Sequence, residues 1–283
     1  MFRIMEKRLL APAVHQLVVE APLVARSARP GNFVIVRTNE TGERIPLTIA
    51  DYDPEKGSIM LVVQEVGKST MDIGMMEAGD SFADVAGPLG QATPIKKVGT
   101  VVGVAGGIGV APLLPQIKLH KAIGNHVITI VGARTRELLI LKDEVEKASH
   151  ETIFATDDGT FGYHGFVTAA LEELIKAGRQ IDEATAIGPV RMMQATCNLT
   201  RKHNIPTIVS LNAVMVDGTG MCGCCRVTVG GEVKFSCVDG PDFDGHAVDF
   251  DELVSRQAFF RDEENLAREL AEQKRGGCRC HEK

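Results

Sequence analysis

The sequence has no tryptophan and only 2 tyrosines among its 283 residues. It therefore lacks the aromatic side chains on which single-strand nucleic-acid binders stack the bases. It also lacks a basic surplus, because 31 Lys and Arg stand against 37 Asp and Glu and the formal net charge is -6. An acidic chain attracts polyphosphate backbones poorly, so we expect no nucleic-acid partner.

A hydrophobic run free of glycine and proline is missing as well. Residues 98–117 carry no charge until Lys118 and are long enough to cross a bilayer. The run is interrupted, however, by Gly99, Gly103, Gly106, Gly107, Gly109, Pro112 and Pro115. This composition favours a strand followed by a glycine-rich turn, so we expect no membrane span.

The N-terminus, MFRIMEKRLL, has too short an apolar run for a secretory signal. We therefore expect a reducing, cytoplasmic setting, where the clustered members of the 7 cysteines indicate metal or redox chemistry rather than disulfides.

Three segments differ in their pattern. Residues 1–96 hold short β-rich runs at 33–37, 45–49 and 58–63, separated by turn residues and ended by a closing loop at 86–90, which predicts an antiparallel β-barrel. Residues 97–207 alternate apolar strands with helices at 113–121, 138–149 and 167–177, which predicts a doubly wound parallel α/β sheet. Residues 208–283 combine a cysteine cluster with a hairpin at 226–235, a charged helix at 249–274 and a tail with Cys278, Cys280 and His281.

Glycines gather where the first strand of the α/β segment turns into a helix. Gly106, Gly107 and Gly109 precede Pro112, and glycines in such a turn let the backbone approach a pyrophosphate at the helix N-terminus. The spacing is not G-x-G-x-x-G, so a tight turn without a ligand stays open as an alternative.

Two later turns of the same segment favour a nucleotide site. Asp157 and Asp158 follow the third strand, at the carboxyl edge where such sheets bind ligands, although Asp-Asp-Gly is also good turn chemistry. Gly188 follows the fourth strand and repeats the order strand, glycine, helix.

Two stretches of the barrel are candidates for a second phosphate-bearing ligand. Arg44 offers a forked donor for phosphate and Thr48 a hydroxyl for a ring edge, although an exposed arginine on a strand is the simpler interpretation. A small-residue stretch before a predicted helix offers backbone amides and hydroxyls, although a helix cap looks the same. It comprises Gly67, Lys68, Ser69 and Thr70.

The cysteine cluster has an iron–sulfur spacing with one substitution. Plant-type [2Fe–2S] sites follow C-x4-C-x2-C with a distant fourth cysteine. Cys222, Cys225 and Cys237 fit that register, but its first position is Asp217. Zinc bound by four thiols, Cys224 as the fourth ligand, and structurally inert thiols remain alternatives.

The order of these motifs resembles the ferredoxin–NADP reductase superfamily. It is most similar to the branch with the dihydroorotate dehydrogenase electron-transfer subunits and the small (alpha) subunits of NADH-dependent reduced ferredoxin:NADP oxidoreductase, also called sulfide dehydrogenase. Asp217 in place of the first cysteine separates the latter from the dihydroorotate branch. The resemblance implies FAD in the barrel (1–96), NAD(H) on the α/β segment (97–207) and a [2Fe–2S] cluster in the C-terminal segment (208–283).

The resemblance also implies the roles of the residues. The flavin would contact Arg44, Pro46, Leu47 and Thr48, with Gly67, Lys68, Ser69 and Thr70 by its phosphates. NAD(H) would lie along Gly106, Gly107, Gly109 and Pro112, near Asp157, Asp158 and Gly188. The cluster would be held by Asp217, Cys222, Cys225 and Cys237. Leu47 stands where the superfamily has a ring-stacking tyrosine, which weakens the expectation of ring stacking there.

We therefore expect an electron-transfer flavoprotein subunit without a catalytic acid, base or nucleophile. NADH would reduce FAD, and the cluster would pass single electrons to a larger flavin and iron–sulfur partner subunit, with ferredoxin reached through that partner. The direction of flow, electron bifurcation and the choice between NADH and NADPH stay open. The alternatives are a dihydroorotate dehydrogenase electron-transfer subunit and a zinc-stabilised nucleotide-binding module without redox activity.

Overall fold

The structure is a computed structural model that describes residues 1–277, with side chains for residues 1–273. The expectations for Cys278, Cys280 and His281 lie outside the described residues. In the described part, no helix is both long and apolar enough to cross a membrane. The uncharged run at 98–117 divides into a strand, a short turn and most of a helix.

An antiparallel sheet of seven strands curls into a nearly closed barrel, as predicted, with the order β6-β1-β2-β5-β4-β3-β7. Its strands are β1 (Phe2–Ala11), β2 (Val14–Glu20), β3 (Phe33–Arg37), β4 (Ile45–Asp53), β5 (Ser58–Gln64), β6 (Ser81–Phe82) and β7 (Asp84–Leu89). Two short helices, α1 (Pro22–Ser27) and α2 (Lys68–Met75), accompany it. Alternate residues such as Leu17 and Val19 point into one apolar core, which is the period-2 pattern of a strand with one buried face.

The expectation of a loop at 86–90 was wrong for most of that stretch. Residues up to Leu89 belong to β7, which pairs with β3 along the barrel edge. Glycine and proline at positions 87 and 88 concealed the strand, because both are tolerated at an edge where the ladder is irregular.

The second sheet has the order β11-β10-β9-β8-β12-β13-β16 and is parallel except for its last strand. Its strands are β8 (Thr100–Gly106), β9 (His126–Ala133), β10 (Glu151–Thr156), β11 (Tyr163–His164), β12 (Glu183–Ile187), β13 (Thr207–Ser210) and β16 (Asp242–Asp244). Helices α3 (Val110–Ala122) and α4 (Lys142–Ala148) cover one face, and α5 (Val167–Lys176) and α6 (Val190–Lys202) cover the other. The doubly wound architecture is therefore confirmed.

The helix expected at 138–149 is shorter than predicted. A 3-10 turn at Arg136–Leu138 is followed by buried Leu139 and Ile140, and α4 begins only at Lys142. Leu141 has a positive φ of 54°, which interrupts the right-handed helix. Burial of the three apolar residues overrides their good helix propensity.

The C-terminal segment contains the predicted hairpin, β14 (Arg226–Val229) and β15 (Glu232–Phe235). The charged helix expected at 249–274 is two helices, α7 (Phe250–Gln257) and α8 (Arg261–Gly277). Asp249 caps α7 by accepting a hydrogen bond from the Glu252 N–H. The segment also supplies β16 to the parallel sheet, so it is not separate from it.

A buried polar group fixes the chain where the barrel leads into the parallel sheet. The Asn125 side chain accepts from the N–H groups of Val98 and Gly99 and donates to the Lys96 carbonyl and to His120 Nδ1. His120 Nε2 lies 3.8 Å from a carboxylate oxygen of Glu183. Burial lowers the pKa of His120 to about 4 and raises the pKa of Glu183, so His120 is uncharged at neutral pH and the contact is not an ion pair.

His120 predicts a dependence of stability on pH. Its pKa falls from 6.5 in the unfolded chain to about 4 when folded, so between these values the unfolded chain binds more protons. The contribution of neutral His120 to the free energy of unfolding is fully present above pH 6.5 and is lost as the pH falls towards 4. In that range the free energy of unfolding should change by up to ~1.4 kcal/mol per pH unit because of this group. Urea unfolding at several pH values measures this slope. His120→Gln should flatten it, whereas His203→Gln, at an exposed position, should leave it unchanged.

Candidate functional site

A cavity of about 450 Å³ lies between the barrel and the parallel sheet. We call it the cleft cavity. The barrel contributes residues of β4, the parallel sheet contributes its first and fourth strand-to-helix turns, and the chain after β13 closes the remaining side. The predicted residues in its wall are Pro46, Leu47, Thr48, Gly106, Gly107, Gly109, Pro112 and Gly188. Motifs that are far apart in the sequence therefore meet in one cavity.

Two glycines allow the strand-to-helix turns to touch through their backbones. A Cβ on Gly109 would lie 2.2 Å from the Ile187 carbonyl oxygen, and one on Gly188 would lie 3.0 Å from the Gly106 nitrogen. Gly107 differs, since its φ of 55° is left-handed and no atom lies within 4 Å of the position that a Cβ would occupy. Gly109 and Gly188 therefore serve packing, and Gly107 leaves open space beside the cavity.

A second cavity, of about 520 Å³, adjoins the first along the carboxyl edge of the sheet. We call it the edge cavity. Gly106 and Gly107 line both cavities, and Asp157 and Arg134 line the edge cavity only. Sequence reasoning missed Phe166 and Met192 in its wall. The motif signal for these two was weak, because an apolar residue next to a helix start predicts core packing equally well.

Asp158 is not among the residues that line the edge cavity. Its carboxylate accepts from the N–H and the hydroxyl of Thr160, and these hydrogen bonds lower its pKa. The geometry around Asp158 is that of an Asx turn, which was the alternative considered for this pair of aspartates. Only Asp157 faces the space that a nucleotide could fill.

Arg44 lies away from the cleft cavity. It lines a separate pocket of about 210 Å³ with Arg37 and Asp84, which form an ion pair with each other. Leu47 is mostly buried and packs into the barrel core while it borders the cleft cavity. Arg44 precedes the first residue of β4, whereas Leu47 lies within that strand.

The small-residue stretch lies at the start of α2, and none of its four residues lines either cavity. Ser69 donates a hydrogen bond to the carboxylate of Glu43, and the Thr70 hydroxyl accepts from the Gly67 N–H at 3.0 Å. Because Glu43 directly precedes Arg44, this contact brings Arg44 to the same side of the barrel as the α2 N-terminus. The carboxylate of Glu43 is therefore bonded to a side-chain hydroxyl in the first turn of α2.

Asp217 is held as an ionised carboxylate. Its two oxygens accept from the N–H groups of Thr219 and Cys222 at 2.9 and 2.8 Å. The hydrogen bond from Thr219 is the main cause that lowers the pKa of Asp217 to about 2. Asp217 and Cys222 therefore lie side by side at the exposed end of the loop.

Cys225 and Cys237 form the buried end of the site. Their sulfur atoms are 3.1 Å apart, too far for a disulfide bond, and both side chains are almost completely buried. Burial raises the pKa of Cys237 to about 12. Two facing thiols beneath a turn with few side chains suit a shared metal ion, which deprotonates a coordinating thiol.

The donors lie in two pairs rather than around one point. Within residues 1–273, no three His, Cys, Asp or Glu side chains are already arranged as a metal site. The pairs, Asp217 with Cys222 and Cys225 with Cys237, would nevertheless supply the four ligands that a two-iron cluster needs. The loop can wrap such a group because Gly218, Gly220 and Gly223 all adopt positive φ. The donor set therefore fits a two-iron cluster.

Cys224 differs from the four expected ligands. It is half-buried and interacts with the Cys222 side chain, and its carbonyl oxygen accepts from Arg256 of α7. Its neighbour Cys225 is buried more deeply and faces Cys237. Cys197 is a buried core thiol of α6 and lies outside the loop.

The chain between the cleft cavity and the cysteine loop is short. Residues 210–217, here called the connecting segment, begin with Ser210 and reach Met215 in the cavity wall, only two positions before Asp217. Gln257 of α7 anchors the segment by donating to the carbonyl and side-chain oxygens of Asn212 at 2.8 and 3.0 Å. The two sites are therefore joined by a few residues of backbone.

Comparison with known proteins agrees with this architecture. A barrel packed on a doubly wound sheet is the ferredoxin–NADP reductase fold, and it is shared with the Amycolatopsis cytochrome P450 reductase (21% identity, TM-score 0.62, 72% of this chain and 66% of that chain). Residues 212–249 match the iron–sulfur cluster binding domain of dihydroorotate dehydrogenase B. The protein is therefore of the ferredoxin reductase class with an added iron–sulfur segment.

The more similar relatives define the family. The chain is 46% identical to the dihydroorotate dehydrogenase B (NAD(+)) electron transfer subunit homolog of Thermotoga maritima, over 94% of each chain. It is 43% identical to a chain of the NADH-dependent reduced ferredoxin-NADP oxidoreductase, a structure described for its insights into flavin-based electron bifurcation (TM-score 0.91, 95% of this chain and 97% of that chain). The chain belongs to the family of dihydroorotate dehydrogenase B electron-transfer subunits and their homologues.

Alanine substitutions at two glycines of the cleft should have different effects, one on stability and the other on NADH binding. Gly109→Ala forces a Cβ against the Ile187 carbonyl, so we expect a loss of about 2 kcal/mol of stability. Gly107→Ala costs only about 1 kcal/mol for its left-handed backbone, but it places a methyl group beside both cavities and should weaken NADH binding. Urea unfolding and NADH titration separate these effects.

Gly178→Ala is the matched control, because Gly178 also has positive φ and open space but lies at the end of α5. It should cost the same stability as Gly107→Ala and leave NADH binding unchanged. Equal NADH affinity for both variants would contradict a binding role for Gly107.

Proposed function

We propose that the chain is an electron-transfer subunit that oxidises NADH at FAD and passes single electrons through a [2Fe–2S] cluster to a partner flavoprotein subunit. The observation that carries the proposal is the connecting segment, which lines the cleft cavity at Met215 and reaches Asp217 two residues later. A flavin in the cleft cavity and a cluster at the cysteine loop would be joined by this short segment, so electrons could leave the cavity without a mobile carrier.

The barrel side of the cleft cavity suits a flavin ring. Pro46 and Thr48 of β4 and Phe33 of β3 face the cavity, and Thr48 offers a hydroxyl for a polar ring edge. FAD, when bound, accepts a hydride from NADH and releases electrons one at a time. Arg44 and the α2 N-terminus lie further along the same side of the barrel, where we place the phosphates.

The edge cavity suits the nicotinamide dinucleotide. Gly106 and Gly107 lie where the two cavities meet, which would bring a nicotinamide bound in one beside a ring bound in the other. Asp157 supplies a carboxylate for a ribose or an amide. The carboxylate favours NADH over NADPH, since a 2′-phosphate would be repelled by it, although Arg134 lines the same cavity.

The cysteine loop suits the cluster, with Asp217, Cys222, Cys225 and Cys237 as ligands. Asp217 already carries a negative charge, which spares the cost of removing a proton when the metal binds. Thiolate ligands suit a reducing compartment, and we propose the cytoplasm.

The partner is expected to be a larger subunit with its own flavin and iron–sulfur centres, through which ferredoxin is reached. The relatives are named as electron-transfer subunits, which supports a heterodimer. A dihydroorotate dehydrogenase partner is the second candidate, supported by the match at 212–249. Asp217 in the place of the first cysteine favours the first candidate, and affinity purification from the native source with identification of the co-purifying subunit decides between them.

Metal and sulfide analysis tests the cluster. Protein purified without oxygen should be yellow-brown and hold about two iron atoms and two acid-labile sulfides per chain. Electron paramagnetic resonance after reduction by NADH should show one [2Fe–2S] signal. A colourless protein that carries zinc would reject the redox function and favour the nucleotide-binding module.

Substitution at the four ligand positions tests the ligand set. Cys222→Ser, Cys225→Ser and Cys237→Ser should each lower the iron content, because thiolates hold such clusters. Asp217→Cys should keep the cluster with a changed reduction potential. Cys224→Ser is the control within the loop and should keep both iron and potential. Wild-type iron content and potential in Asp217→Ala would exclude the carboxylate as a ligand.

A further inference from the structure

Asp242 lies in the wall between the cleft cavity and the protein surface. It stands on β16 directly opposite Ser210 of β13, and opposed residues of an antiparallel pair carry their side chains on the same face. Ser210 and Pro241 line the cleft cavity. Asp242 lines a different space, a surface groove of about 580 Å³ that also borders Thr207 and His246. The Ser210–Asp242 pair therefore has one member in the wall of each space.

The carboxyl group of Asp242 belongs to a buried polar network in which the acceptors outnumber the hydrogen-bond donors. Its Oδ2 accepts from Thr93 Oγ1 at 2.5 Å and from Gln116 Nε2 at 3.1 Å. Its Oδ1 and the Gln116 Oε1 are both buried without a hydrogen-bond partner. Both are acceptors, so a proton on the carboxyl group supplies the donor that the network lacks.

The surroundings of Asp242 also favour the neutral form. Burial raises the pKa of the carboxyl group. The groups that act on it are uncharged: the Ser210 hydroxyl from β13, the Thr93 hydroxyl from the linker and the Gln116 amide from α3. These hydrogen-bonding groups oppose the increase, but among the described residues no cation does so.

No titratable side chain is found among the described residues that line the cleft cavity. Its wall consists of apolar side chains, glycines and prolines, with Thr48, Gln64, Ser210 and Asn212 as the polar members. A proton that leaves through the protein rather than through the open side of the cavity must therefore pass through a hydroxyl or amide. Of these four residues, Ser210 is the one paired with Asp242 across β13 and β16.

The reaction proposed above requires such an exit, and the inference rests on that proposed function. Oxidation of NADH to NAD⁺ yields two electrons and one proton. The electrons leave through the cluster, which carries no proton with them. One proton per NADH must therefore leave the cleft cavity, and one must enter it when the reaction runs in reverse.

We propose that Ser210 and Asp242 carry this proton between the cleft cavity and the surface groove. Asp242 releases its proton to water in the groove, and the Ser210 hydroxyl then gives its proton to the carboxylate as it takes up another from the cavity, so that no alkoxide forms. Only O–H bonds form and break, and the net result is one proton moved outward. Ser210 faces the cavity, and Asp242 acts through it.

A stopped-flow experiment measures the rate of electron transfer and the rate of proton release separately. The holoprotein is reduced by light and mixed with ferricyanide in weak buffer that contains a pH indicator. In the wild type, proton release should keep pace with the loss of ferricyanide colour. In Asp242→Asn and Ser210→Ala, proton release should lag on the order of 100-fold, because a positioned proton donor contributes at least that much. Imidazole in the buffer should restore the rate in Asp242→Asn.

Two controls exclude a merely structural role. Ser210→Thr keeps a hydroxyl and should behave as wild type. Asp244→Asn removes an exposed carboxylate from the same strand and the same groove, and it should also behave as wild type. Proton release that keeps pace with electrons in Asp242→Asn, or a lag of equal size in Asp244→Asn, would overturn the proposal.

An infrared spectrum tests the neutral carboxyl group without any turnover. At neutral pH the wild type should show the carbonyl stretch of a protonated carboxyl group that is missing in Asp242→Asn, and its absence from the wild type would overturn the relay. Failure of NADH to bleach the wild-type flavin would reject the proposed function itself. Normal bleaching with unaltered proton release in the variants rejects the relay alone.

Discussion

The cleft depends on a backbone contact between two strand-to-helix turns of the parallel sheet. Gly109 meets the Ile187 carbonyl and Gly188 meets the Gly106 backbone at distances that leave no room for a side chain. The contact brings the N-terminal ends of α3 and α6 to the same edge and leaves Gly107 facing open space. The barrel then closes the cavity from the opposite side with β4. Any side chain at this contact would separate the turns and widen the cleft.

The connecting segment links this cleft to the cysteine loop, and its position follows from packing on both sides. The Gln257 side chain of α7 holds Asn212, and Gly218 approaches the side chains of Ile35 and Leu89 in the barrel. The loop therefore rests on the barrel while its β16 continuation pairs with the parallel sheet. The site is buried at Cys225 and Cys237 and exposed at Cys222. This arrangement suits a group that receives electrons from within the protein and delivers them at its surface.

The sequence predicted most of the architecture because its signals are local. Alternation in the barrel strands, continuous apolar strands in the sheet and glycine-rich turns between strand and helix need no knowledge of distant residues. The errors arose where burial overrides propensity, as at Leu139 to Leu141, or where the edge of a sheet tolerates proline, as in β7. The resemblance to a known family rested on the same local motifs, and the relatives at 46% and 43% identity confirm it.

The sequence by itself determined most of the secondary structure, the cysteine register and the family, since each depends mainly on residue type and spacing along the chain. Tertiary structure decided which of those residues meet. Asp157 faces the edge cavity while Asp158 closes a turn, Arg44 lies apart from Thr48, and Asp242 is buried beside Ser210. Such differences depend on which face of a strand is covered and by which distant segment, and spacing alone cannot specify a contact made across the fold.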